Sequence, residues 1–159
     1  MNKVYLLLGS NMGDSTHQLT TARKHIAKKL GLITRQSSLY ETAAWGKTDQ
    51  PDFINQVVVV LCDSNAMNLI KVVLDIELGM GRVRTKKNAP RIIDIDVLYF
   101  NKAIINSEFL IVPHPAIQDR RFVLTPLNEL SPHFIHPVFG KSNHALLLDC
   151  QDHLNVKRI

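Results

Sequence analysis

The sequence predicts an α+β sandwich of ferredoxin-like type, with element order βαββαβ, C-terminal additions and a single domain over residues 1–159. Three observations carry this. Two apolar, β-rich runs, residues 4–8 (VYLLL) and 54–62 (INQVVVVLC), are each followed by a segment with helical spacing. A third run, residues 91–100 (RIIDIDVLYF), closes the second half after a basic loop. An extended segment without strong alternation, residues 33–40 (ITRQSSLY), supplies the remaining strand.

In chain order, residues 4–8 form a buried first strand, and GSNMGD after it is a turn cluster. Ser15 and Gln18 have capping-box spacing, Leu19, Ala22, Ile26 and Leu30 share one helical face, and Gly31 is a stop. Residues 42–52 are loop-like. Asp63, Ser64 and Asn65 can cap a second helix with Leu69, Val72, Val73, Ile76 and Met80 inward, ended by Gly79 and Gly81. The strand at 91–100 places Asp94, Asp96, Leu98 and Phe100 on one face and Ile93, Ile95, Val97 and Tyr99 on the other. Helices on one sheet face make the Ile93 side the core and leave the aspartate side open. A short hairpin around Asn101 and Lys102, a Pro-rich irregular stretch and a helix over residues 122–130 complete the chain.

Hydrophobic residues at 45% and charged residues at 21% are ordinary for a globular domain. No apolar run reaches the roughly 18 residues of a membrane span, and residues 1–11 lack the organisation of a signal peptide. Cys62 and Cys150 show no metal-type spacing, so a reducing, cytoplasmic setting is the simplest reading. The net charge of +5 resides in residues 82–91, where Arg82, Arg84, Lys86, Lys87 and Arg91 meet no acid. Removing these five from 19 basic residues leaves 14, against 14 acidic residues. One local cluster fits a compact polyanion better than a nucleic-acid coat.

Two carboxylates at i and i+2 of a strand repel by roughly 2–3 kcal/mol at an effective dielectric near 20. A solvated strand face explains an isolated Asp-x-Asp. It does not explain five cations entering the same strand. Carboxylates beside arginines suit a metal-bound phosphate ester: hard oxygens hold Mg²⁺, and guanidinium groups take the phosphate charge. GMGRVR and GSNMGD are not P-loops, so a nucleotide needs another scaffold. His114 lies between two prolines, with Arg120, Arg121 and Phe122 opening the next helix. Phe53 and Asn55 share a strand face that suits a flat heterocycle, although taken alone they read as a core Phe and a turn Asn. His133 and His136 read as surface or packing residues.

The ordered blocks GSNMGD, SSLYET, DQPDFIN, IELGMGRVR, APRIIDIDVL, VPHP and RRFVLTPL, with His136-Pro137, resemble the 6-hydroxymethyl-7,8-dihydropterin pyrophosphokinase family over essentially the whole chain. The resemblance implies an enzyme of folate biosynthesis that passes pyrophosphate from ATP to the pterin alcohol and releases AMP. It implies two Mg²⁺ ions on Asp94 and Asp96, with Arg82 and Arg91 as catalytic arginines. Phe53 and Phe122 would sandwich the pterin, Asn55 would read its amide edge, and Thr42 and Trp45 would add backbone contacts. Glu77, Arg82, Arg84, Arg91, His114 and Arg120 would surround the ATP, and the basic loop would close over the site. The loop lacks the tryptophan of some members, and Leu74, Thr85 and Pro115 replace glutamine, lysine and tyrosine found in some. A monomer without nucleic-acid or membrane partners is expected. Two alternatives are another Mg²⁺-dependent nucleotidyl or glycosyl transferase and a non-enzymatic RNA-binding module. The latter wants exposed aromatics on the central strands, where this chain has aliphatics.

Overall fold

A computed structural model describes residues 1–44, 49–83 and 89–159. The chain is a mixed α/β protein around an antiparallel sheet. Its centre is β1 (Asn2–Ser10), buried from Val4 onward. On one side β1 pairs antiparallel with β4 (Phe53–Cys62), on the other with β5 (Asp94–Phe100). The second-strand region is two strands, β2 (Leu32–Gln36) and β3 (Tyr40–Thr42), each antiparallel to β4. Ser37 makes the break between them: its amide donates to the Val57 carbonyl at 2.9 Å and its hydroxyl accepts from the Val57 amide at 3.0 Å. A final strand, β8 (Val156–Arg158), extends the sheet beside β3. Between β5 and β8, the two-residue strands β6 (Ile105–Asn106) and β7 (Ile111–Val112) pair with each other in a small separate sheet.

Helices α1 (Ser15–Lys29) and α2 (Ala66–Gly79) cover one sheet face. There Leu19, Ile26, Leu69, Val73 and Ile76 pack with Leu6, Leu8, Val58, Val60, Ile93 and Ile95. Asn65 caps α2 by accepting from the Asn68 amide. The cap of α1 is Asp14, which accepts from the His17 amide at 3.1 Å, so the Ser15 capping box expected from spacing does not form. Gly31 is needed for close approach, not for a left-handed turn. A Cβ there would lie 2.2 Å from the Leu61 carbonyl oxygen.

Three expectations are corrected. First, the second sheet face is not open along its length. Helices α3 (Arg121–Leu130) and α4 (Asn143–Asp149) cover much of it, burying Tyr5, Leu7, Val57, Val59, Leu98 and Tyr99 against Val123, Leu124, Leu127 and Leu146. Continuous apolar runs such as YLLL and VVVV have no polar face to offer water, so both faces need cover. Second, a β-bulge interrupts β5: Tyr5 pairs with Tyr99 but Leu6 pairs with Val97. Leu98 is the extra residue, and beyond it the faces exchange. Phe100 therefore enters the α1/α2 core, and Tyr99 the core under α3. Asp94 and Asp96 precede the bulge and keep the predicted face. Third, the turn at Asn101 and Lys102 does not make a hairpin with β5. Asn101, at φ +51°, is tied to β1 by two 2.8 Å bonds with Lys3.

Candidate active site

The site lies where α3 leaves the sheet face uncovered. Register sets its floor: Gly9 of β1 stands between Asp94 of β5 and Asn55 of β4, and Leu7 stands beside Asp96. The absent side chain at Gly9 is structural, since a Cβ there would lie 2.7 Å from Asn55 Oδ1. Asn55 is buried, and its Nδ2 donates to Thr42 Oγ1 at 3.2 Å. The amide edge is thereby fixed beside a bare stretch of backbone. Phe53 at the start of β4 and Phe122 in the first turn of α3 line the same pocket. The Arg91 guanidinium lies 5.7 Å from the Phe53 ring centroid, and that of Arg120 lies 5.8 Å from the Phe122 ring. Each aromatic thus has a cation on it.

The two aspartates differ electrostatically. Asp94 pairs through Oδ1 with Arg82 and through Oδ2 with Arg91 at 3.1 Å. Arg82 also donates to Glu77 at 2.9 Å and to the Ile93 carbonyl at 3.2 Å. Burial disfavours the Arg82 charge, but Asp94 and Glu77 outweigh burial and raise its pKa. Glu77 is buried on α2 and also accepts from the Ile95 amide at 2.8 Å, which joins α2, β5 and Arg82 through one carboxylate. Asp96 forms no hydrogen bond or ion pair among the described residues. Burial first, and the Asp94 charge second, push its carboxyl up to about 7 against the opposing pull of Arg120.

A second cleft runs along the free edge of β5, between α2 and the β6–β7 pair. Asp94 and Asp96 line it as well as the first pocket, so the carboxylates are the shared wall. Its apolar surface comes from Leu74, Phe109 and Ile111, all exposed, and its polar end from Glu77 and His114. His114 Nδ1 accepts from the Ala116 amide at 3.1 Å, which leaves the proton on Nε2. Burial, then the neighbouring Arg120 charge, lower its pKa to about 4, so the imidazole is a neutral donor at physiological pH.

Of the residues singled out in the sequence, Thr42, Phe53, Asn55, Arg91, Arg120 and Phe122 meet in the first pocket. Glu77 and His114 meet in the second, and Asp94 and Asp96 belong to both. Arg82 bridges Glu77 and Asp94. Trp45, Arg84, Thr85, Lys86 and Lys87 lie outside the described residues, and with them most of the basic loop. His136 is a buried packing residue stacked near Tyr99 and Phe139, and His133 is exposed. Sequence reasoning passed over Leu7, Gly9 and Ala43 in the pocket wall. It also passed over Asn11, whose buried amide accepts from the Arg91 backbone and donates to Gln50 and Pro51. Glycine and asparagine directly after a buried strand were the available signal.

No group of three or more His, Cys, Asp or Glu among the described residues could hold a metal ion. Among the described residues, the wall shared by the two clefts offers two carboxylates, Asp94 and Asp96, not a cage. That donor set fits Mg²⁺, which binds through one or two carboxylates and completes its shell with water and substrate phosphate.

A protein-family model described as 7,8-dihydro-6-hydroxymethylpterin-pyrophosphokinase matches residues 5–132. The chain is 40% identical over 136 residues to the 2-amino-4-hydroxy-6-hydroxymethyldihydropteridine pyrophosphokinase of Methylorubrum extorquens, covering 85% of this chain and 86% of that protein. It is 37% identical over 158 residues to a folic acid synthesis protein of Dictyostelium discoideum. That match covers 99% of this chain but 24% of the relative, so the chain spans only part of the longer relatives' length. A crystal structure of Plasmodium falciparum HPPK-DHPS shares the fold at TM-score 0.76 and 20% identity, covering 93% of this chain and 45% of that one. The blocks that form the two clefts fall within the matched residues, and the chain belongs to the 7,8-dihydro-6-hydroxymethylpterin pyrophosphokinase family.

Proposed function

We propose that the chain catalyses Mg²⁺-dependent transfer of pyrophosphate from ATP to the hydroxymethyl group of 6-hydroxymethyl-7,8-dihydropterin, with release of AMP, in the cytoplasmic synthesis of folate. The observation that carries this is the meeting of two chemically different clefts at one carboxylate pair. The first, with two aromatics and a fixed amide, suits a flat pterin. The second, apolar along Leu74, Phe109 and Ile111 and polar toward His114, suits a nucleoside whose phosphates run to the aspartates. Strand order β5-β1-β4 flanked by β2 and β3, all antiparallel, with crossover helices α1 and α2, supports a ferredoxin-like frame for both. The protein acts as a monomer.

In this reading Phe53 and Phe122 stack on the pterin and Asn55 hydrogen-bonds its amide edge. That points the hydroxymethyl oxygen at the carboxylate wall. The oxygen bonds to the β-phosphorus and gives up its proton to water, the bond from that phosphorus to the oxygen bridging the α-phosphate breaks, and AMP keeps the bridging oxygen with the bonding electron pair. Mg²⁺ ions held by Asp94 and Asp96 would supply charge neutralisation to the phosphates. Arg82, Arg91 and Arg120 take the charge that shifts onto the transferred group and the leaving phosphate. His114 donates from Nε2 to a phosphate oxygen. Alignment by two clefts supplies the proximity that makes the step effectively unimolecular. Incubation with Mg²⁺, ATP and the dihydropterin alcohol should yield AMP and the pterin diphosphate in equal amounts. Release of inorganic pyrophosphate, or transfer of a nucleotide or sugar, would overturn the reading.

A further inference from the structure

The carboxylate pair is unequally served. Asp94 has a guanidinium on each oxygen, whereas Asp96 has no ion-pair partner among the described residues. Both arginines also have other holds. Arg82 rests on Glu77 and on the Ile93 carbonyl, and Arg91 rests on the Ala89 carbonyl at 3.3 Å and over Phe53. Neither would be set adrift by losing Asp94. A divalent cation approaching the pair without a nucleotide must compete with two cations already at hydrogen-bonding distance. A triphosphate changes that competition, because it offers the guanidinium groups oxygens of its own at the moment it brings the metal.

We propose that Arg82 and Arg91 are resident counterions of Asp94, which admit a divalent cation to both aspartates only together with a triphosphate that draws the arginines away. Glu77 is then a positioning residue that keeps Arg82 beside the site during the exchange. The inference rests on the metal-and-nucleotide reading above and adds to it an order of events: metal alone is refused, and metal with nucleotide is accepted. The same two side chains thus serve the resting state through the carboxylate and the loaded state through phosphate.

The test uses Mn²⁺ and the full chain, with bound ion read by electron paramagnetic resonance, with and without a non-hydrolysable ATP analogue. Wild-type protein should bind Mn²⁺ alone at least about tenfold more weakly than with the analogue. Arg82→Met and Arg91→Ala should each tighten Mn²⁺ binding to the nucleotide-free protein by about tenfold or more, given the size of a nearby unit charge at modest dielectric. Both should weaken binding of the Mn²⁺–analogue complex. Arg120→Ala removes a nearby cation that does not touch Asp94 and should tighten metal binding much less. Equal tightening by all three variants, or none by Arg82→Met and Arg91→Ala, overturns the proposal. If Arg82→Met does not fold, Arg91→Ala decides alone. Asp96→Asn separates the two readings: it should abolish Mn²⁺ binding in the presence of the analogue. If Mn²⁺ binding survives there, the metal platform itself is wrong.

Discussion

Asp94 and Asp96 lie two residues apart on one strand yet occupy different electrostatic surroundings, and their variants should part accordingly. Asp94→Asn removes one partner from two ion pairs and should cost about 1.5–3 kcal/mol of ligand-free stability, the range for hydrogen bonds to charged groups. Asp96→Asn removes a carboxyl without an ion-pair partner among the described residues and should raise the melting temperature of the ligand-free protein above pH 7, where that carboxyl is charged. Both should lower AMP release by about a hundredfold or more, as expected when transition-state electrostatics are lost. Thermal melts without metal and turnover at saturating Mg²⁺ check the pair. A similar separation applies at Gly9. A Cβ there would lie 2.7 Å from Asn55 Oδ1, so Gly9→Ala should displace the amide. Calorimetric titration should show pterin affinity falling for both Gly9→Ala and Asn55→Ala, with nucleotide affinity little changed. A polar pocket with its partner misplaced discriminates strongly against its ligand. Equal losses for both ligands would move Asn55 out of the pterin site.

At the scale of elements, α3 does two things at once. Its inner face, Val123, Leu124 and Leu127, closes the second core, and its N-terminal turn carries Arg120 and Phe122 to the pocket rim. Stability and pterin binding are therefore coupled through one helix. Leu124→Ala should cost about 2–5 kcal/mol, the range for a fully buried leucine, read by urea denaturation. At a temperature where the variant remains folded, pterin affinity should fall more than nucleotide affinity, because α3 supplies the wall of the first cleft and not of the second. An undiminished pterin affinity would show that α3 only caps the core. The bulge in β5 has a comparable divided effect: it leaves Asp94 and Asp96 facing the pocket while turning Phe100 into the opposite core.

For the molecule as a whole, two groups give stability opposite slopes with pH. Asp96 has its folded pKa raised to about 7 from an ordinary 3.8, so its contribution is fully present below 3.8 and is lost as pH rises through 7. His114 has its folded pKa lowered to about 4 from an ordinary 6.5, so its contribution is present above 6.5 and is lost as pH falls through 4. Ligand-free melts across this range should show Asp96→Asn gaining on the wild type steadily from pH 4 to pH 7. A His114→Gln variant should instead gain toward the acid end. A constant offset between Asp96→Asn and the wild type would mean that the carboxyl titrates normally. Nitrogen chemical shifts should show His114 neutral, with its proton on Nε2, throughout pH 5.5–8.

Much of the frame was legible in the chain because it depends on local pattern. Apolar runs at 4–8 and 54–62, the Asn65 cap before α2, and alternation at 93–97 act over a few residues. The facing of Asp94 and Asp96 followed from the strand period alone, and their basic neighbours were adjacent in sequence. Other features depended on pairing between distant segments. Leu98 becomes a bulge only against Tyr5 and Leu6, so no reading of residues 91–100 could place Tyr99 and Phe100. The second core needed α3 and α4 folded back over β1 and β4. Gly9 and Asn11 looked like turn residues until register set Gly9 against Asn55 and Asn11 against Arg91. The inequality of the aspartates was likewise decided in three dimensions, by Arg82 arriving from the end of α2. Periodicity determines which way a side chain points, whereas its partners and its charge state depend on what the rest of the chain brings within a few ångströms.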